Sequence, residues 1–86
     1  MKSITYTIKD PEGVHARPAG MLCKTCKAML PTKVTLTKGD ETVVCTKVIA
    51  LMGLGIKNGE TITLTVEGPD EDAKAAELQE WITANL

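Results

Sequence analysis

The sequence predicts an α+β fold in which a single sheet carries its helices on one face. Three observations predict it. Apolar and polar residues alternate with period two near the start of the chain, across its middle and again late. Two other stretches space their apolar residues as one face of a helix does. These stretches follow one another as strand, helix, strand, strand, short apolar segment, strand, helix. Alternating strands have one apolar face to bury, and amphipathic helices cover it while the other face meets water.

The first strand spans Lys2–Lys9, with Ile4, Tyr6 and Ile8 on one side. Asp10-Pro11-Glu12-Gly13 then reads as a turn. The first helix is expected from Ala16 to Met29. Pro18 suits a first turn, where amide hydrogens lack intrahelical partners, and Pro31 disfavours helix at the residue before it. Ala19, Leu22, Cys23, Cys26 and Leu30 form its expected buried face. Arg17, Met21, Lys24 and Lys27 lie on its other side.

Thr32–Thr37 alternates around Val34 and Leu36, Lys38-Gly39-Asp40 is a hairpin turn, and Glu41–Cys45 returns as the next strand. Lys47–Met52 is apolar and short enough that pattern alone leaves helix and strand both open. Lys57-Asn58-Gly59-Glu60 is a turn. Glu60–Glu67 is the cleanest strand, with Ile62, Leu64 and Val66 inward. Asp70 is placed to cap the last helix, with Glu71 and Asp72 favourably near its N-terminus. That helix carries Ala75, Leu78, Trp81 and Ile82 on one face.

At 86 residues the chain has room for one domain, residues 1–86, around one modest core. An apolar content of 43% with 24% charged residues is that of an ordinary globular protein. A net charge of −1 argues against nucleic-acid binding, which wants a basic excess. No apolar run spans a bilayer and the N-terminus lacks the apolar core of a signal peptide, so we expect a cytoplasmic protein with reduced cysteines and no membrane partner. With no phenylalanine, and Tyr6 and Trp81 as the only aromatics, the core must be aliphatic, with methionine and cysteine filling gaps.

The chemistry concentrates in Gly13-Val14-His15-Ala16-Arg17-Pro18. It holds the only histidine and the only arginine of the chain, where a strand pattern gives way to a helix pattern. A helix N-terminus offers unpaired N–H donors and partial positive charge, which favour a bound anion and a neutral, nucleophilic imidazole. A guanidinium two residues on suits bidentate contact with phosphate oxygens. Ring nitrogen, two amides and arginine together suit a histidine that accepts a phosphoryl group. A capping or surface histidine beside a solvated arginine has the same local pattern.

The cysteines offer a second chemistry. Cys23-Lys24-Thr25-Cys26 is a C-x-x-C, and with Cys45 and His15 it supplies four potential zinc ligands. A redox C-x-x-C normally opens a helix, whereas this one lies two turns in on the apolar face. A zinc site also usually has a second closely spaced ligand pair, and Cys45 and His15 are isolated. We therefore expect core thiols and no metal. The competing functions are a small metal or redox protein and a non-catalytic interaction module.

Gly13-Val14-His15-Ala16-Arg17-Pro18-Ala19, with Leu54-Gly55-Ile56 before the last strand and Val66-Glu67-Gly68 before the last helix, resembles the HPr family. These are histidine-containing phosphocarriers of the phosphoenolpyruvate:sugar phosphotransferase system. The resemblance covers nearly the whole chain. It implies an open-faced sandwich: a four-stranded antiparallel sheet, its last strand between the first and second, with three helices on one face. It implies phosphoryl transfer through His15 at the ring nitrogen nearer the backbone, with Arg17 and the amides of Ala16 and Arg17 on the phosphoryl oxygens. It implies enzyme I as donor, enzyme IIA domains as acceptors, no cofactor and a monomer. It makes Lys47–Met52 a short helix and gives docking to Met21, Lys24, Lys27, Lys47, Val48, Ile49 and Met52. Two residues depart from the family pattern. Gly20 stands where alanine is usual, and Lys47 stands where many relatives have a serine that a regulatory kinase phosphorylates.

Overall fold

The computed structural model describes residues 1–86. Its strands are β1 (Lys2–Thr7), β2 (Lys33–Lys38), β3 (Glu41–Val44) and β4 (Thr61–Glu67). Its helices are α1 (Ala16–Ala28), α2 (Val48–Gly53) and α3 (Glu71–Asn85). The strands form one antiparallel sheet in the order β1-β4-β2-β3, with helices covering one face. The last strand thus lies between the first and second, as expected.

Alternation decides which face is covered. Ile4, Tyr6, Val34, Leu36, Ile62, Leu64 and Val66 point inward and are buried. Their neighbours are hydroxyl residues in register across the open face, in the rows Ser3–Thr65–Thr35 and Thr5–Thr63–Thr37–Thr42. β-branched threonine favours extended backbone and leaves a polar group for water. Leu22, Leu51, Leu78 and Ile82 close the core from the helix side, all fully buried. Burying each such side chain contributes roughly 2 kcal/mol.

The short apolar segment resolves as a helix, α2, with Leu51 inward. The first helix ends at Ala28, one residue earlier than expected, and this exchanges two side chains. Met29, the C-cap, is buried, while Leu30 is 55% exposed rather than part of the apolar face. Its N–H bonds the carbonyl of Lys27 in a closing turn, so helical periodicity no longer governs where Leu30 points. Thr32 likewise leaves the second strand. It is buried against Gly68, and its hydroxyl donates to the carbonyl of Pro69. The third strand ends at Val44, and the fully buried Cys45 donates its N–H to the carbonyl of Val34 at 3.0 Å.

Asp70 does occupy the N-cap of α3, but its left-handed backbone (φ +55°) is accompanied by no side-chain capping bond. Glu71 takes over part of that work: its Oε1 accepts the N–H of Gly68 at 3.3 Å and its other oxygen meets the N-terminal amine. These contacts hold its carboxyl below the usual range. No helix is long and apolar enough to cross a membrane.

Candidate functional site

The loop that delivers His15 is built on two backbone contacts. Gly13 has φ +71°, and a Cβ there would fall 2.3 Å from the carbonyl oxygen of Ile56, so only glycine lets the strands of backbone pass this closely. Next along, the N–H of Val14 donates to that same oxygen at 3.0 Å and the Val14 side chain enters the core. His15 follows as the N-cap of α1, extended at φ −91° and ψ −172°.

The helical ladder begins with the N–H of Ala19 on the carbonyl of His15 at 3.0 Å. The amides of Ala16 and Arg17 therefore come before the first ladder bond, and Pro18 has none to offer. The His15 side chain makes no capping bond to them. Arg17 is exposed and enters no ion pair within the chain. Imidazole and guanidinium share an open cleft of about 290 Å³ lined by Asp10, His15, Arg17, Pro18, Met21 and Asn85. The arrangement presents a ring nitrogen, two free donors and a free cation to an incoming anion.

Two residues at the ring were not singled out from the sequence. Glu12 Oε2 lies 3.5 Å and Asp10 Oδ2 3.9 Å from His15 Nε2. The readable signal was the Asx-type turn: Asp10 Oδ1 accepts the N–H of Glu12, two residues on, at 2.9 Å. Asn85 reaches the cleft from the far end of the chain, for which local sequence carries no signal.

The expected docking residues fall on two neighbouring helices. Met21 is 42% exposed on α1, and Ile49 and Met52 are 79% and 42% exposed on α2. Lys24, Lys27 and Lys47 are exposed around them, Lys47 as the N-cap of α2, and Val48 is half-buried. The surface combines apolar side chains with positive charge.

Cys23, Cys26 and Cys45 are all free thiols in the core. The fold does not assemble them with His15 into a metal-holding group. Cys45 is pushed well above the usual thiol range by its contact with Cys26 and by burial; Cys23 is raised by burial and then by Cys26. Suppressed thiolate is the opposite of what redox or metal chemistry asks.

Comparison with known proteins gives the family and the fold. Residues 2–84 match the family model described as the PTS HPr component phosphorylation site. The chain is 35% identical to the phosphocarrier protein HPr of Mycoplasma genitalium, over 99% of this chain and 97% of that protein. It is 37% identical to that of Lysinibacillus sphaericus, over 96% and 93%. The crystal structure of HPr-C-His from Thermoanaerobacter tengcongensis superposes with a TM-score of 0.90 at 29% identity, covering 99% of this chain and 94% of that one. A family match over nearly every residue, on the same fold, makes this chain a member of the HPr family, the phosphocarriers of the phosphotransferase system.

Proposed function

We propose that this chain works in the cytoplasm as a monomeric, single-domain carrier that accepts a phosphoryl group on His15 from phosphorylated enzyme I and passes it to an enzyme IIA domain. One observation carries the reading: a histidine whose ring makes no capping bond and an unpaired arginine line one open cleft, at a helix start where the amides of Ala16 and Arg17 precede the first ladder bond. Arg17 and the amides of Ala16 and Arg17 hold the phosphoryl oxygens. An open cleft suits a group that must arrive and depart, since it leaves the phosphoryl accessible to both partners. Met21, Lys24 and Lys27 on α1, with Lys47, Val48, Ile49 and Met52 on α2, form the docking surface. Its cations steer acidic partners and its apolar side chains are desolvated on contact.

The test is incubation with phosphoenolpyruvate and enzyme I. The protein should gain one acid-labile, base-stable phosphate. His15→Ala should retain its circular dichroism and gain none. Acid-labile phosphate on that variant would remove His15 from the role.

A further inference from the structure

We infer that Asp10 and Glu12 are positioning residues that keep the His15 ring proton on Nε2 throughout transfer and leave Nδ1 as the atom bonded to phosphorus. The inference rests on the proposed carrier function and adds what the two carboxylates do in it. Asp10 is held on three sides. Its N–H donates to the carbonyl oxygen of Leu86 at 2.8 Å, its carbonyl accepts the N–H of Gly13 at 3.0 Å, and its Oδ1 accepts the N–H of Glu12 at 2.9 Å. Its remaining oxygen, Oδ2, faces Nε2 at 3.9 Å, and Glu12 Oε2 approaches the same nitrogen at 3.5 Å. No carboxylate pairs with the other ring nitrogen, and the ring makes no capping bond that would occupy it.

A neutral imidazole carries its proton on one nitrogen and a lone pair on the other. Two negative charges beside Nε2 attract an N–H there and repel a lone pair. At 3.5 and 3.9 Å this is charge–dipole attraction rather than a close hydrogen bond. Arg17 is the remaining charged group on the cleft, and its guanidinium favours the phosphoryl oxygens.

The bookkeeping of the step then needs no proton movement. The Nδ1 lone pair attacks phosphorus, and the bond from phosphorus to the donor's leaving atom breaks with its pair staying on the donor. The ring becomes an N-phosphorylated imidazolium, still protonated at Nε2, with its positive charge beside Asp10 and Glu12. In onward transfer the P–N pair returns to Nδ1 and the ring departs as neutral imidazole. Without the Nε2 proton it would have to depart as imidazolate, a far poorer leaving group. The same carboxylates oppose a phosphoryl dianion at Nε2.

The experiment compares the parent with Asp10→Asn/Glu12→Gln, in which Asn keeps the turn's acceptor oxygen. In ¹⁵N-labelled protein at pH 8, long-range ¹H–¹⁵N correlation reads the ring tautomer directly. The parent should be almost wholly Nε2–H, and the minor form should rise several-fold in the double variant. Chemical phosphorylation with phosphoramidate should then give a phosphohistidine that hydrolyses several-fold more slowly in the variant, with Glu12→Asp close to the parent. An unchanged tautomer ratio or an unchanged hydrolysis rate would overturn the inference. Neither measurement uses enzyme I, so failure of the parent to accept phosphate from that enzyme would count against the proposed function and leave this result standing.

Discussion

The Nζ of Lys38 lies 3.1 Å from Glu60 Oε2 and also donates to the carbonyls of Leu54 and Gly55, at 2.9 and 3.2 Å. One side chain of β2 thereby ties the end of α2 to the turn that precedes β4. Glu60 Oε1 accepts the N–H of Lys57 at 2.7 Å. That bond, and then Lys38, hold the Glu60 carboxyl below its usual range. A carboxyl depressed in the folded state stabilises the protein above its unfolded pKa, about 4.3, and loses that contribution as pH falls through the lower folded value. Glu60→Gln should therefore lower Tm most above about pH 5, and the gap to the parent should close towards pH 3. A gap independent of pH would mean that the ionised carboxylate contributes nothing.

Gly20 lies on the exposed side of α1, and a Cβ added there would meet nothing within 4 Å. Gly20→Ala should add about 1 kcal/mol of stability through helix propensity, raising Tm by about 5 °C. Calorimetry checks it. An unchanged Tm would mean that the first helix does not limit stability.

Arg17→Ala should slow phosphoryl transfer to and from His15 without unfolding the chain. The guanidinium is exposed, so its loss leaves the core intact. Removing one donor to a developing charge typically costs about a hundredfold in rate. Quench-flow single-turnover transfer in both directions measures this, and equal rates would exclude Arg17 from the site.

Cys23, Cys26 and Cys45 should react slowly with thiol reagents in the native protein and rapidly once it is unfolded. All three are buried, and the raised pKa of Cys23 and Cys45 further suppresses their thiolates. Rapid native labelling of Cys23 or Cys26 would show that α1 opens readily from the sheet.

Lys47 at the N-cap of α2 has no hydroxyl, and Thr46 lies one residue earlier, in the turn before the helix and separated from its start by the extended backbone of Lys47. The chain should therefore escape a serine kinase of the kind that the family resemblance implies. With that kinase and ATP the parent should gain no acid-stable phosphate, whereas Lys47→Ser should gain one. The substitution would exchange a positive charge for about two negative ones on the docking surface. Acid-stable phosphate on Thr46 of the parent would refute the expectation.

Element order was legible because periodicity is local: Ile62, Leu64 and Val66 alternate, and Leu78 and Ile82 recur at helical spacing, whatever the rest of the chain does. His15 and Arg17 were legible because a glycine, a proline and a helix start lie within a few residues of them. What local pattern did not carry was set by turns and by distant contacts. Met29 and Leu30 exchanged places because the helix stopped one residue early. Asp70 took a left-handed backbone that left its side chain uncapping. Asp10 and Glu12 met His15 Nε2 only once the turn between them had folded back.

The approach of Gly13 to Ile56 has a consequence for how the two positions drift in sequence. The group met by Gly13 is the carbonyl of residue 56, which every amino acid carries, while the group excluded is a Cβ at position 13, which every residue but glycine has. In a library varied at both positions and selected for phosphoryl acceptance, position 56 should admit a range of apolar residues of similar volume. Position 13 should return glycine almost alone, and no second change at 56 should rescue its loss.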